Sequence, residues 1–510
     1  LNRFLQHPWL PPAALALAVS ALSFAANYGG NRSPYFWHND EPSKAAQLIE
    51  GYHNARHPVL LLETVRWTFP LPNTREPEDY QRVTLHGRTV SSVFVAAGTG
   101  LLILAAWLVG SWWAAVPAAV FLLLLPRLVE TARVFKEDSV LFFALALLLV
   151  AVRVYLLRPG LPSVLILGAA AGLASSSKYI GIVPALAALA LPCIAQKHLR
   201  GSVLAFVTAV TTTVFLNIPL LRDAAKTARR VAEETSWLLG GHYGVGLEIP
   251  HAAYFRHLRE TMPWPLLVLA LLPVALSLPA RNRAVLPLAV SLTAFIPATL
   301  LVLSFTGKYS ERYLLPVEIL VLWLAAWGLA LVVHHAASRL GWKTAALCGS
   351  AGLVAGAFPL IGPWQNLRAH YTWDDRTLLM DHVEKFDSPM KIAQDDMVGL
   401  PQPDKPEHRL YGRDWSGRPV SGSYFVADLD TLDGLRKKGF THVAISWDVA
   451  HRYLEDHLQS ATDLPETARR QRFYRELESK GELEWESTPN RPRALHPGLR
   501  LYRIDAPSGN

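Results

Sequence analysis

Residues 138–157 read DSVLFFALALLLVAVRVYLL. After Asp138 the run is apolar on every side of a helix, interrupted only by Arg153 near its end. Some 20 apolar residues, rising about 1.5 Å each, cross the hydrocarbon of a bilayer. A helix that is apolar all round belongs inside a protein or in lipid. Comparable stretches lie at about 8–28, 88–109, 112–128, 161–176, 179–196, 202–221, 263–280, 284–304, 312–334 and 344–362. This repetition predicts a polytopic α-helical membrane protein of about 11 spans. Several stretches are shorter than a straight span, so their ends are soft. Gly168 and Gly172 are four apart, a small-residue spacing that predicts close helix packing.

Charge divides the chain. The whole is 51% hydrophobic and 18% charged, below the ~25% charge of an ordinary soluble domain. Residues 1–362 hold 28 Lys+Arg against 17 Asp+Glu, and residues 363–510 hold 21 against 24. The first part reads as a membrane domain and the second as a water-soluble one. The basic excess belongs to the membrane part and does not imply a nucleic-acid partner. Both cysteines, Cys193 and Cys348, fall in apolar segments, so no disulfide framework or Cys-based zinc site is expected. The tail has strand patterns beginning at Met390, Thr441 and Leu499, with helical patterns from Leu432 to Lys438 and Thr467 to Lys480. It is expected to be a soluble α/β domain. Asp395 and Asp396 follow the first of these strands and read as solvated acids.

Orientation follows from the Lys/Arg bias. With a cytoplasmic N-terminus, the inner loops hold Arg153 and Arg158, Lys197 and Arg200, Arg281 and Arg283, and Arg339 and Lys343, without any Asp or Glu. Nearly every acid of the membrane part then lies outside, Glu318 excepted at about two turns into a span. Arg3 and the run from Pro8 to Tyr28 have features of a signal peptide, but an uncleaved first span fits this topology better. Two outer loops are long, 29–88 and 222–263, and long ordered loops in a compact protein are usually functional. The tail from 363 falls on the outer side.

Several outer segments carry chemistry-bearing residues. Asp40-Glu41 stands in Trp37-His-Asn-Asp-Glu-Pro. By spacing alone Asp40 reads either as the cap of a helix beginning near Pro42 or as a general base at the membrane surface. Arg133, Lys136 and Asp138 form a charged cluster at a helix edge, which reads as a snorkelling rim or as a binding site. Lys178 follows three serines without P-loop spacing. His53 and His57 are four apart, as two metal ligands on one helix face would be, but Pro58 and the lack of a third ligand argue against that. His242 has glycine neighbours that would let the backbone approach a ligand closely.

Together these segments resemble the GT-C glycosyltransferases, and among them the bacterial protein O-mannosyltransferase-like and aminoarabinose-transferase-like enzymes. The resemblance rests on Asp40-Glu41 after the first span and on Gly51-Tyr-His-Asn-Ala-Arg-His-Pro. It rests also on Ala132-Arg-Val-Phe-Lys-Glu-Asp, Gly172-Leu-Ala-Ser-Ser-Ser-Lys-Tyr, Lys308-Tyr-Ser-Glu-Arg-Tyr-Leu-Leu-Pro and Gly240-Gly-His-Tyr-Gly. It covers roughly residues 1–362. His57-Pro58-Val59 departs from the family's His-Pro-Pro.

The resemblance implies transfer of a sugar from a polyprenyl-phosphate carrier to an acceptor hydroxyl, on a lipid, protein or glycan, with inversion at C1. It implies a multi-pass protein of a bacterial inner membrane with an outward-facing site. Such a donor has a good leaving group, so the site needs a base for the acceptor and fixed cations for the departing phosphate. Asp40 and Asp138 are the implied catalytic carboxylates. Arg133, Lys136, Lys178, Lys308 and Arg312 are the implied phosphate ligands, expected to line one pocket. Glu41, His57 and His242 are implied to touch other parts of the substrates. No metal site is expected and no cofactor is required, although a divalent cation is compatible with the chemistry. The competing readings are a lipid-linked glycan ligase or polymerase, a lipid or solute transporter, and a scaffold. A transporter would need ionisable groups near the bilayer midplane, where these spans are nearly uncharged.

Overall fold

A computed structural model of the chain describes residues 10–28, 38, 40–196, 199–240, 250–280, 286–305, 310–371, 373–386, 390–402, 415, 418–454, 465–489 and 495–505. Every apolar stretch coincides with a helix: Leu10–Tyr28, two arms of Pro77–Leu123, Asp138–Leu157, Leu161–Ser177, Ile182–Gln196, Leu199–Leu216, Trp264–Ala280, Leu286–Ser304, Leu315–Leu340 and Trp342–His370. Among the described residues, six helices are long and apolar enough to cross a membrane, and others are apolar but shorter. The chain is a multi-pass membrane protein.

Local chemistry explains where the boundaries depart from the apolar runs. Pro77–Leu123 starts ahead of the expected Arg88, because Pro77 opens the helix and Glu78 and Asp79 occupy its first turn. Its helical backbone breaks at Gly110 and Ser111, where Ser111 has φ 54°. That is the turn expected between the second and third spans. The second arm stops at Leu123 rather than 128, because Pro126 starts a separate charged helix, Pro126–Arg133. Trp342–His370 runs past the expected boundary at 362.

Leu315–Leu340 is the central helix. Of its apolar window 89% is buried, against 28% for Leu10–Tyr28 at the periphery. Trp323 and Trp327 sit in its core. Glu318 lies in its first turn, not two turns in, and is fully buried. Gly168 and Gly172 let Leu161–Ser177 meet Leu199–Leu216. A Cβ on either would stand 2.5 Å from the carbonyl oxygen of Ala205 or Ala209, as the small-residue spacing predicted.

The tail holds a five-stranded mixed sheet in the order β2-β1-β3-β5-β4. Its strands are β1 (Ile392–Asp395), β2 (Val420–Ser423), β3 (His442–Ser446), β4 (Glu482–Glu486) and β5 (Leu499–Arg503). β1 pairs parallel with β2 and β3; β5 pairs antiparallel with β3 and β4. The patterns at Met390, Thr441 and Leu499 became β1, β3 and β5. β2 (VSGS) and the charge-rich edge β4 (ELEWE) lack a strand-like composition and were missed. Asp395 is not a solvated acid. It is fully buried and accepts from Val426 N–H (2.7 Å), Tyr474 O–H (2.8 Å) and Ser446 N–H (3.1 Å). The tail packs on the membrane part through Val129, Leu367, Tyr371 and Leu495.

Candidate active site

Four helix ends that the alternating chain direction brings to one side supply the charged groups. Asp40 begins the helix Asp40–Ile49, and Asp138 begins Asp138–Leu157. Lys178 closes Leu161–Ser177, and Arg312 lies on the 3₁₀ turn Glu311–Leu314 leading into the central helix.

The segment Val134-Phe135-Lys136-Glu137-Asp138 sends successive side chains to different partners. Phe135 is buried against Gly87, where a Cβ would come within 2.4 Å of its ring. Lys136 pairs with Asp40, and Glu137 with Lys44. Asp138 accepts from Lys178 Nζ at 2.6 Å. Underneath, Glu41 receives Arg88 Nε at 2.9 Å and Nη2 at 2.7 Å, plus the Phe135 N–H at 2.9 Å. Glu41 and Arg88 are both fully buried. Glu41 therefore ties the Asp40 helix to Pro77–Leu123 and to the Lys136 turn, rather than facing substrate as expected.

His38 stands between the cations. Its Nε2 lies 3.1 Å from Lys136 Nζ and 3.3 Å from Arg312 Nη1. Both neighbours can only donate, so Nε2 accepts. Burial, helped by Arg312 and Lys44 and opposed by Asp40, brings the His38 pKa down to about 4. His38 is thus a neutral acceptor at pH 7. Burial pushes Asp40 up, but at the low pH where its carboxyl titrates the protonated His38, with Arg312, Lys44 and His57, outweighs burial and holds it well below the usual carboxylate value. His57 is lowered by burial, with Lys44 and Lys178 adding to the effect. It lies on irregular chain, so it does not share a helix face with His53, which faces Glu63 instead at 3.5 Å.

The structure thus gathers Asp40, Lys136, Asp138, Lys178, Arg312 and His57, and adds His38, Lys44 and Glu137. Among the described residues of this cluster, four cations face three carboxylates. Arg133 departs from the expected set: its guanidinium stacks on Tyr371 at 4.8 Å and reaches the Ala26 carbonyl at 3.4 Å. As the last residue of Pro126–Arg133 it faces Tyr371, where Trp342–His370 gives way to the tail, whereas Lys136 lies beyond the turn. Lys308 and His242 lie outside the described residues. His257 is buried against Arg127. His38 and Lys44 flank the acidic pair in sequence, and that adjacency is the signal that could have flagged them. Arg88 and Arg127 carried no local signal. No group of three or more His, Cys, Asp or Glu side chains among the described residues is disposed to hold a metal ion.

Solved structures match this arrangement of helices and tail. ArnT from Cupriavidus metallidurans in the apo state is 14% identical, covers 96% of this chain and 98% of its own, and superposes with a TM-score of 0.51. The chain has the GT-C fold. The same GT-C fold matches the Archaeoglobus fulgidus oligosaccharyltransferase, solved in complex with Zn and sulfate, at 12% identity. That match covers 93% of this chain and 72% of that one, with a TM-score of 0.50. ArnT bound to undecaprenyl phosphate aligns over 98% of this chain and 99% of its own, at 14% identity and a TM-score of 0.48. No protein-family model and no curated protein matches the chain.

Proposed function

We propose that this protein is a glycosyltransferase that moves a sugar from a polyprenyl-phosphate carrier to an acceptor hydroxyl, at the outer face of a bacterial inner membrane. The observation that carries the reading is an asymmetry among clustered carboxylates. The Asp40 side chain is 43% exposed, while those of Glu41, Glu137 and Asp138 are 0%, 2% and 6% exposed. Asp40 is thus the open carboxylate of a cluster whose cations include Lys136, Lys178 and Arg312. The GT-C fold, which ArnT and an oligosaccharyltransferase also have, supports a lipid-linked donor.

In this reading the acceptor O–H gives its proton to Asp40 as its oxygen bonds to C1 of the sugar. The C1–O bond to phosphate breaks on the opposite face, inverting C1, by analogy with single displacement. The bonding electrons leave with the polyprenyl phosphate, whose charge Lys136, Arg312 and Lys178 receive. Asp40 is a weak base while Lys136 is its partner. A donor phosphate that draws Lys136 away relieves the field on Asp40 and raises its basicity when the sugar is in place. Asp138 holds Lys178 toward the same phosphate.

Undecaprenyl phosphate titrated into the purified full chain in lipid nanodiscs tests the binding half. Submicromolar to micromolar binding that Lys136→Ala and Arg312→Ala each weaken is expected. Mass spectrometry of lipid-linked sugars in cells lacking the protein tests the transfer half, with accumulation of one species expected. Neither binding nor accumulation would overturn the proposal.

A further inference from the structure

A second buried charge cluster lies behind the site. Arg127, on Pro126–Arg133, is 8% exposed. Its Nη1 donates to Glu130 at 2.6 Å and its Nε to Glu318 at 3.4 Å. Its Nη2 lies 2.8 Å from His257 Nε2 and 3.6 Å from Glu311. Arginine can only donate, so His257 Nε2 accepts and the imidazole proton sits on Nδ1. That nitrogen faces Glu311 at 3.8 Å. Thr261 donates to Glu318 at 3.2 Å, and Tyr254 O–H accepts the Ser310 N–H at 3.2 Å. The helix Pro250–Thr261 of the second long loop and the charged helix Pro126–Arg133 therefore both grip residues 310–318.

Glu311 and Arg312 are adjacent on a 3₁₀ turn, where successive side chains point about 120° apart. Glu311 points into this cluster. Arg312 points into the site, toward His38 and, at 3.9 Å, Asp138. The side chain of Arg312 is 34% exposed, so little packing restrains it on its own. Buried ion networks gain little net stability over apolar packing, and register is their best-attested use.

We propose that Arg127, His257 and Glu311 form a positioning network that sets the aim of Arg312. The network grips Glu311, the turn rotates as a unit, and Arg312 meets the donor phosphate only in the gripped orientation. This rests on the reading above, in which Arg312 binds that phosphate.

A double-mutant cycle on the full chain in nanodiscs, with undecaprenyl phosphate as the probe, tests it. Arg312→Ala should weaken binding roughly 10- to 100-fold, as for loss of a charged hydrogen bond. Glu311→Gln should weaken it about 5- to 10-fold alone, and by less than about twofold in the Arg312→Ala background. Arg127→Gln should reproduce the Glu311→Gln effect. If it unfolds the protein, Glu311→Gln still decides, because its partly exposed side chain is the milder site. Each variant's thermal midpoint separates aim from folding. Additive losses, or unchanged affinity in folded Glu311→Gln, overturn the network while leaving Arg312 as a phosphate ligand. Unchanged affinity in Arg312→Ala overturns that ligand role and the inference with it.

Discussion

Asp40 and Glu41 are neighbours in sequence with the same functional group, yet their surroundings give them opposite roles. The Asp40 side chain is partly exposed, whereas Glu41 is locked on Arg88 at zero exposure. Asp40→Asn removes the base and keeps the size. Turnover should fall roughly 10²–10⁴-fold while undecaprenyl phosphate affinity stays within a few-fold; near-normal turnover would move the role to Asp138. Glu41→Gln should act on the fold. It leaves Arg88 buried without its counter-charge, a cost of about 3–5 kcal/mol, so a lowered thermal midpoint and poor yield are expected. A Glu41→Gln protein as stable as the parent would show that the pair is dispensable. Asp395 titrates in the other direction. Burial raises its pKa to about 7, above the model-peptide value of 3.8. Between those values the folded carboxyl keeps a proton that the unfolded chain has released. Its stabilisation is therefore full below about pH 4 and lost as pH rises through about 7. Protection factors of the Val426 and Ser446 amides should drop from pH 5 to pH 8 and become flatter in Asp395→Asn. Protection that rises with pH would refute this assignment.

At the level of elements, apolar runs located the spanning helices but not the charged ones. Asp40–Ile49, Leu60–Thr68 and Pro126–Arg133 were not separately delimited, because their buried faces mix apolar groups with ion pairs. The soluble strand β3 was legible because it is a buried run with Val443 and Ile445 β-branched, and β1 because it is buried throughout and opens on Ile392. The small-residue contact was legible too, and it can be tested in isolation. A leucine at Gly172 has no room beside Ala209 O at 2.5 Å and Thr212 Cβ at 2.6 Å. Gly172→Leu should destabilise by about 1–3 kcal/mol or more, read as a lower thermal midpoint in detergent. A Cβ on Gly362 meets nothing within 4 Å, so Gly362→Ala is the control. Equal midpoints for both variants would mean that this helix pair separates without cost.

Across the whole molecule, the site exists because helix ends converge on one side of the bundle. The same convergence predicts sidedness. Reporter fusions after Arg200 and after Tyr371 should report opposite sides of the membrane, cytoplasmic and periplasmic, given the basic inner loops. The second fusion point respects the helix that continues to His370. Reports from the same side would separate the expected orientation from the site that depends on it. The tail, tied to that last helix by His496 Nε2 against the His370 carbonyl at 2.9 Å, should follow it to the outer face.

The sequence by itself determined the membrane class, the number of apolar stretches and the segments rich in candidate ligands. These are sums over neighbouring residues, since burial in lipid or in a core scales with local apolar area. Only the tertiary structure decided which charges meet. His38 and Arg312 are 274 residues apart, and Lys44 and Glu137 are 93 apart. An ion pair depends on a few ångströms of separation and on excluded water, and no local pattern records either. That is why Asp40 could be proposed from its motif, whereas Glu41 as a tether, Arg133 as a contact to the tail and Arg127 as a second hub emerged only when the helices were packed.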